Sequence, residues 1–123
     1  MCVESQPFGF MNIHVRPGVF VPRWETEEWS IALASRLRQL TPSRQAFTLV
    51  DLCTGSGCIP LFLKAYCSAN IDKSLNSTYG KPNKHARFVG IDKSAVAVRI
   101  AQRNLKHYSL PAERFPDGYF SHT

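Results

Sequence analysis

The feature that most constrains the fold is a segment, VDLCTGSGCI from Val50 to Ile59, in which one apolar run passes through two closely spaced glycines into another. The first run, Phe47 to Leu52, is typical of a short buried strand, and the second, Cys58 to Tyr66, is typical of a buried helix. Pro60 is compatible with that helix because it falls in the first turn, where its missing N–H would have no partner. The segment therefore predicts a strand, a tight turn and a helix, with a turn backbone that a ligand can approach closely.

A second strand and a second helix follow further along the chain. The run from Arg87 to Asp92 is a predicted strand that ends on a carboxylate, and Ser94 is a suitable N-cap for the helix after it. That helix is predicted to place these apolar residues inward: Val98, Ala101, Leu105 and Tyr108. Residues 68–86 are rich in serine, asparagine and lysine and are predicted to be a long connection. Two strands that alternate with two helices predict an α/β fold with a parallel sheet.

The N-terminal part of the chain is predicted to form two short strands and then a helix. From Phe8 to Pro22 apolar and polar residues alternate loosely, and the Pro-Gly pair at 17–18 indicates the turn between the strands. Residues 25–40 begin with glutamates and end with arginines, a charge order that suits the helix macrodipole. The apolar face predicted for this helix consists of Trp29, Leu33, Leu37 and Leu40. At the other end of the chain, residues 111–123 show no period and are predicted to be an irregular tail.

Composition and cysteine spacing exclude several classes of protein. With 123 residues, 44% of them hydrophobic, the chain suits one domain and is too apolar to be disordered throughout. Its longest apolar stretch, Cys58 to Leu63, is far shorter than the roughly 20 residues that cross a bilayer, and its start lacks the pattern of an export signal. The four cysteines show neither a CxxC pair nor zinc-finger spacing. We therefore expect reduced thiols, no metal site and an intracellular location, mitochondrial or cytoplasmic.

A formal net charge of +6 leaves a polyanionic partner open. However, the basic residues lie either in the polar connection or at helical spacing opposite an apolar stripe, as ordinary solvated positions do. The aromatic residues that interleave with basic ones in single-strand binding proteins are missing. Nucleic acid is therefore not the partner that this charge distribution favours.

The glycine turn and the carboxylate at the end of the next strand together indicate a nucleoside-containing cofactor. Ligands of parallel sheets bind at the carboxyl ends of the strands, where Gly55 and Gly57 would leave clearance against the backbone. Asp92 is expected at the same edge, where its carboxylate can accept hydrogen bonds from both hydroxyls of a ribose. A simpler interpretation, in which the glycines only permit a tight turn, does not account for Asp92.

The type of cofactor is narrowed by what the turn lacks. A dinucleotide-binding fingerprint requires a third glycine three residues after the second, where this chain has Pro60. A Walker phosphate loop requires a Gly-Lys-Ser/Thr sequence, which is absent. NAD, FAD, ATP and GTP are therefore disfavoured.

Two segments resemble known methyltransferase motifs. Asp51-x-Cys53-x-Gly55-x-Gly57 resembles the first motif of class I S-adenosylmethionine-dependent methyltransferases, D/E-x-G-x-G-x-G, with Cys53 in place of the first glycine. PGVFVPRWETEE, residues 17–28, resembles the PGV-(L/F)-(I/V)-PR-x-ETE signature of the HemK/PrmC-type release-factor glutamine methyltransferases. QPFG at 6–9 resembles the segment that precedes this signature. The resemblance runs from about residue 5 to about residue 110, and PR-x-ETE is its most specific part.

This resemblance implies a fold, a cofactor and a reaction. The implied fold is a partial Rossmann-like parallel sheet, with a hairpin and linker over 1–22 and the N-terminal half of the methyltransferase domain over 23–110. The implied cofactor is S-adenosylmethionine, bound by Asp51, Cys53, Thr54, Gly55, Ser56, Gly57 and Asp92. Phe20 and Arg23 would shape the pocket for the substrate, the glutamine in the Gly-Gly-Gln motif of a peptide chain release factor. The implied reaction transfers a methyl group from the sulfonium to the side-chain amide nitrogen of that glutamine.

The same resemblance also indicates what this chain lacks. Family members carry out the transfer with an Asn-Pro-Pro-Tyr loop, which is absent from the sequence, so no catalytic residue is assigned. The chain is therefore expected to be a fragment, truncated at both ends and inactive alone. Two alternatives stay open: a nucleic-acid N-methyltransferase, which shares the cofactor turn, and a non-catalytic remnant that binds the cofactor.

Overall fold

The computed structural model describes residues 4–40, 46–68, 85–107 and 120–122, of which Ser68 and 120–122 are described by their backbone alone. In chain order, the elements in these ranges are β1 (Glu4–Phe8), β2 (Met11–Val15), α1 (Trp24–Leu40), β3 (Thr48–Leu52), α2 (Cys58–Ser68), β4 (Arg87–Asp92), α3 (Ala95–His107) and β5 (Phe120–His122). Most of the predicted connection over 68–86, and Tyr108 of the predicted helix face, lie outside the described residues.

Strands β3, β4 and β5 form a parallel sheet in that order. The pairing aligns Leu49 with Phe88 and Gly90 with Phe120. This topology confirms the predicted α/β fold, a partial Rossmann-like sheet preceded by a hairpin and a helix. The prediction of an irregular tail is wrong at 120–122, where the backbone pairs with the free edge of β4. A strand of three residues is too short to show a periodic pattern, so the sequence carried no signal for it.

The hairpin of β1 and β2 turns at Gly9 and Phe10, not at the predicted Pro-Gly pair at 17–18. Gly9 has a φ of 59°, and a Cβ at this position would collide with the ring of Phe62, so the turn requires a residue without a side chain. The Pro-Gly pair forms a separate turn, closed by a hydrogen bond of 3.0 Å from the Val19 N–H to the Arg16 carbonyl. The residues between this turn and α1 form no strand.

The hydrophobic core lies between the hairpin, the helices and one face of the sheet. Its buried side chains are Phe8, Met11, Ile13, Val15, Ala34, Cys58, Leu61, Phe62, Leu63, Cys67, Ala86, Phe88, Val98 and Ala101. The rings of Phe8 and Phe62 meet edge to face with centroids 5.7 Å apart, a favoured aromatic geometry. On β3, Val50 and Leu52 point away from this core and are 49% and 71% exposed. The hairpin is thus part of the core although it is not part of the parallel sheet.

Helix α1 buries a different face from the predicted one. Its buried residues are Ser30, Ala34 and Arg38. Of the predicted face, Trp29 and Leu40 are 47% and 68% exposed, and the two leucines between them are half-buried. Those two leucines pack against the core. Arg38 can be buried beside them because its Nη1 donates a hydrogen bond of 2.8 Å to the carbonyl of Tyr66 near the end of α2. An arginine that satisfies the last carbonyls of a neighbouring helix is not detected by a count of apolar residues.

Helix α3 agrees with its prediction over the described residues. The Ala97 N–H donates a hydrogen bond of 3.2 Å to the Ser94 hydroxyl, which confirms the predicted N-cap. Val98 and Ala101 are buried and Leu105 is half-buried, so the predicted inward face is also confirmed. Within the described ranges, no helix combines the length and the apolar character needed to cross a membrane.

Candidate functional site

The turn between β3 and α2, residues 53–57, is called the glycine loop below. Cys53, Gly55 and Gly57 have φ angles of 61°, 59° and 80°, so alternate residues of the loop lie in the left-handed region. The Gly57 N–H donates a hydrogen bond of 3.0 Å to the Thr54 carbonyl, and α2 begins directly after it. The left-handed conformation is easily adopted by glycine but costs about 1–2 kcal/mol at Cys53. The loop therefore tolerates strain at one of its three left-handed positions.

Asp92, at the end of the neighbouring strand β4, is hydrogen-bonded to the backbone of the glycine loop. Its Oδ2 accepts a hydrogen bond of 2.9 Å from the Gly55 N–H, and its Oδ1 accepts one of 2.9 Å from the Ser94 N–H. The Thr54 N–H also donates to the carbonyl of Ile91 at 3.0 Å. A carboxylate offers about four acceptor sites, so Asp92 can accept further hydrogen bonds. The ends of β3 and β4 thus hold a carboxylate in a fixed position beside an open loop.

A cavity of about 470 Å³ lies beside the glycine loop. It is lined by Gly18, Val19, Phe20, Pro22, Thr26, Trp29, Cys53, Thr54, Gly55, Ser56, Cys58, Ile59, Asp92, Ser94 and Ala97. The predicted site residues that the structure brings to this lining are Phe20, Cys53, Thr54, Gly55, Ser56 and Asp92. The other predicted residues, Asp51, Gly57 and Arg23, do not line it.

Three polar oxygens at this end of β3 are buried without a hydrogen-bond partner in the protein: Asp51 Oδ2, Thr54 Oγ1 and Ser56 Oγ. Thr54 and Ser56 are only 5% and 2% exposed, and both line the cavity. Leaving a buried polar group without a partner costs about 1–3 kcal/mol. The two lining hydroxyls, of Thr54 and Ser56, therefore suit a ligand that forms hydrogen bonds with them, whereas Asp51 does not line the cavity.

Burial changes the pKa values of one carboxylate and one thiol at the site, those of Asp51 and Cys58. Burial raises the pKa of Asp51 above its ordinary value, the Thr54 side chain opposes this shift in part, and the neighbouring Asp92 carboxylate adds to it. The two carboxylates favour a positively charged group near the loop. Burial also raises the pKa of the Cys58 thiol to about 11. This lining residue is therefore protonated at neutral pH and is not a nucleophile. In the part of the chain that the structure describes, no three potential metal ligands lie together.

Several curated proteins are similar to this chain. The mitochondrial MRF1 N(5)-glutamine methyltransferase MTQ1 of Saccharomyces cerevisiae is 36% identical over 105 residues, which are 84% of this chain and 28% of that protein. A release factor glutamine methyltransferase of Mycobacterium tuberculosis is 40% identical over 102 residues, 83% of this chain and 28% of that protein. A probable MRF1 mitochondrial N(5)-glutamine methyltransferase of Schizosaccharomyces pombe is 46% identical over 63 residues, 51% of this chain and 20% of that protein. No family model matches the chain.

The chain belongs to the HemK/PrmC-type family of release factor glutamine methyltransferases. It spans less than a third of the length of these relatives. The resemblance identified from PR-x-ETE and from the glycine turn is thereby confirmed at the level of the family.

The two signature segments of this family interlock in the structure. Nε2 of Gln6 in the QPFG segment donates a hydrogen bond of 3.2 Å to the carbonyl of Pro22 in the PR-x-ETE segment. The Gly9 N–H donates one of 2.9 Å to Oε1 of Glu27. Glu27 thus has a role beyond the favourable charge at a helix N-terminus, because it holds the hairpin turn against α1. The residues at 18–22 are thereby held across from the glycine loop, where they complete the cavity wall.

Sequence reasoning missed several residues on α1 and α2 that line the cavity. Thr26 and Trp29 lie three residues apart and therefore share one face of α1, but Trp29 was counted with the core because it is large and apolar. Cys58 and Ile59 form the start of α2, and the first turn of a helix that follows a ligand-binding loop borders the ligand. Both signals were present in the sequence.

Proposed function

We propose that the protein is an S-adenosylmethionine-dependent methyltransferase and that the described residues form its cofactor site. One observation carries this proposal: Asp92 is fixed against the Gly55 N–H at 2.9 Å, beside a cavity of about 470 Å³. The arrangement suits a nucleoside, because the loop admits a ligand against its backbone and the carboxylate accepts hydrogen bonds from ribose hydroxyls. The volume is typical of small-molecule sites, which measure about 300–1,000 Å³.

The side chains of the site fit this cofactor. Asp92 retains acceptor capacity for the ribose, and the buried hydroxyls of Thr54 and Ser56 lack partners in the protein. No atom lies within 4 Å of the position that a Cβ on Gly55 would take, which leaves room against the backbone. Asp51 and Asp92 would stabilise the positive charge of the bound molecule. When bound, S-adenosylmethionine supplies an activated methyl group on a positively charged sulfur.

The proposed methyl acceptor is the side-chain amide of the glutamine in a Gly-Gly-Gln motif of a peptide chain release factor. The relatives support this choice, since their names specify glutamine in a release factor or in MRF1. Phe20, which lines the cavity and is 72% exposed, and the exposed Arg23 are proposed to shape the entrance for that glutamine. An amide nitrogen is a poor nucleophile and must be held in line with the methyl group. Because the sequence contains no Asn-Pro-Pro-Tyr, only binding roles are assigned to these residues.

Calorimetric titration with S-adenosylhomocysteine tests the cofactor site. We expect the wild-type chain to bind and two variants, Gly55→Val and Asp92→Asn, to bind at least about tenfold more weakly. Gln102→Ala, on the exposed side of α3, is the matched control and should bind like the wild type. A folded wild-type sample that binds neither S-adenosylhomocysteine nor S-adenosylmethionine would refute the assignment.

Mass spectrometry of release factors from cells with and without the intact gene tests the substrate. We expect the Gly-Gly-Gln glutamine to carry a methyl group only when the gene is intact. The release factor concerned would be mitochondrial or cytoplasmic, and the relatives from Saccharomyces cerevisiae and Schizosaccharomyces pombe are named as mitochondrial. Unchanged glutamine methylation together with cofactor binding would instead indicate a non-catalytic cofactor-binding protein. Loss of methylation from a nucleic acid, together with steeply salt-dependent binding to it, would indicate a nucleic-acid methyltransferase.

A further inference from the structure

Asn104 on α3 is completely buried, with 0% of its surface exposed. Its side chain makes three hydrogen bonds, all to backbone groups of other segments. Oδ1 accepts from the His14 N–H at 2.7 Å, and Nδ2 donates to the His14 carbonyl at 3.1 Å and to the Ser56 carbonyl at 2.9 Å. One amide therefore joins α3, β2 and the glycine loop.

These three hydrogen bonds require an amide side chain. Two carbonyls need donors and one N–H needs an acceptor, and the carboxamide carries two donor hydrogens beside an acceptor oxygen. An aspartate at position 104 would keep the acceptor and lose both donors. At His14 the amide also provides the two partners that a neighbouring strand would provide to β2. Asn104 is therefore more than a polar residue tolerated in the interior.

Ser56 is the part of the glycine loop that Asn104 holds. Glycine residues give a loop access to many conformations, so outside contacts are needed to select one of them. Two hydrogen bonds to β4, donated by the N–H groups of Thr54 and Gly55, hold the first half of the loop. The contact from Asn104 to the Ser56 carbonyl holds the second half, just before α2 begins.

We propose that Asn104 is a positioning residue that keeps the glycine loop in its ligand-binding conformation. It acts from behind the loop, because it does not line the cavity and would not touch a ligand there. The inference depends on the proposed cofactor site and adds that the hairpin, through His14, sets the affinity of that site. If the loop adopts its binding conformation a tenth of the time, the ligand binds about tenfold more weakly.

The test compares Asn104→Asp with Val98→Ala in the 123-residue chain. Val98 is the matched control because it is buried on the same helix and lies outside the cavity lining. Two quantities are measured under conditions in which thermal unfolding shows each variant to be folded. The first is hydrogen exchange at the Gly57 amide, which donates to Thr54 within the loop. The second is the dissociation constant of S-adenosylhomocysteine, measured by calorimetry.

Under conditions in which both variants are folded, we expect the Gly57 amide to exchange faster in Asn104→Asp than in Val98→Ala. We also expect Asn104→Asp to bind S-adenosylhomocysteine about tenfold more weakly than Val98→Ala. Equal exchange rates in the two variants would overturn the positioning role, whatever the ligand does. Faster exchange with no ligand binding by the wild type would leave the positioning role intact and remove the proposed cofactor site. The two proposals are therefore separated by the same experiment.

If Asn104→Asp does not fold, the wild-type chain provides the second test. The amide protons of His14 and Gly57 should exchange through one shared opening, with the same dependence on denaturant concentration. Separate openings at the two amides would show that Asn104 does not couple the hairpin to the loop, and would overturn the inference.

Discussion

Gly9 and Gly55 have the same φ angle, 59°, but lie in different surroundings. A Cβ on Gly9 would collide with the Phe62 ring of the core, whereas a Cβ on Gly55 would have no atom within 4 Å. At Gly9 the fold itself fills the space next to the glycine, and at Gly55 that space belongs to the cavity. A glycine with the same φ thus serves packing in the hairpin and leaves open space beside the cavity in the glycine loop.

The largest expected effect on stability follows Gly9→Ala. We expect the free energy of unfolding to fall by about 3 kcal/mol, because the left-handed conformation and the contact with Phe62 both become unfavourable. Denaturant unfolding measures this change. Gly18→Ala is the control, since Gly18 has a φ of 91° but open space around its Cβ position, and should lose only about 1 kcal/mol. Equal losses in the two variants would contradict the packing explanation for Gly9.

Gly55→Ala should show the opposite pattern to Gly9→Ala. We expect the free energy of unfolding to fall by about 1 kcal/mol, from the backbone conformation alone, because the new methyl group meets no protein atom. The dissociation constant of S-adenosylhomocysteine should rise at least about tenfold, because the methyl group occupies space in which we propose that the ligand lies. The folded fraction of Gly9→Ala should bind with unchanged affinity. Unchanged affinity in Gly55→Ala would show that the ligand does not use this space.

A smaller effect is expected from Cys53→Gly. Replacing Cys53, whose φ is 61°, removes about 1–2 kcal/mol of strain and adds about 0.5–1 kcal/mol of unfolded-state entropy. The net result should be stabilisation by about 0.5 kcal/mol, measured by denaturant unfolding. Cys53→Ala keeps a Cβ and should give no such gain. A loss of stability in Cys53→Gly would mean that the thiol makes contacts that outweigh the strain.

The smallest expected effect is a dependence of the unfolding free energy on pH, which arises from Asp51 beside the glycine loop. Because burial raises the pKa of Asp51, its folded state holds the proton more tightly than the unfolded state. This group therefore favours folding most below the ordinary pKa of 3.8, and that contribution is lost as the pH rises through the folded pKa. Asp51→Asn should flatten this part of the curve of unfolding free energy against pH. A variant with the same slope as the wild type would contradict the raised pKa.

Those parts of the fold that depend on local pattern were predictable from the sequence. The run from Phe47 to Leu52, the glycines after it and the carboxylate of Asp92 each follow from rules about neighbouring residues, and they placed the parallel sheet and the loop correctly. The position of the hairpin turn was not predictable in the same way. Gly9 is a turn residue because of Phe62, which is distant in sequence, whereas the Pro-Gly pair at 17–18 carries the stronger local turn signal.

Other features escaped prediction because they depend on polar contacts over long sequence distances. On α1, Arg38 is buried and bonded to the Tyr66 carbonyl, while Leu33 and Leu37 of the expected apolar stripe are only half-buried against the core. Asn104 makes its hydrogen bonds to residues 48 and 90 positions away in the chain. The binding roles of all the predicted site residues stay predictions, and three of these residues, Asp51, Gly57 and Arg23, do not line the cavity.

The interlock between QPFG and PR-x-ETE bears on how such signatures are used to find proteins. Gln6 and Glu27 are bonded to backbone groups of the hairpin and its connection to α1, so their identity is selected by the architecture of this junction. A chain with this fold but without the chemistry would still need both side chains to hold the hairpin and its connection to α1 together. A genome search with this signature therefore finds chains that form this junction between the hairpin and α1. Which of them are active enzymes must be decided by an assay of methyl transfer.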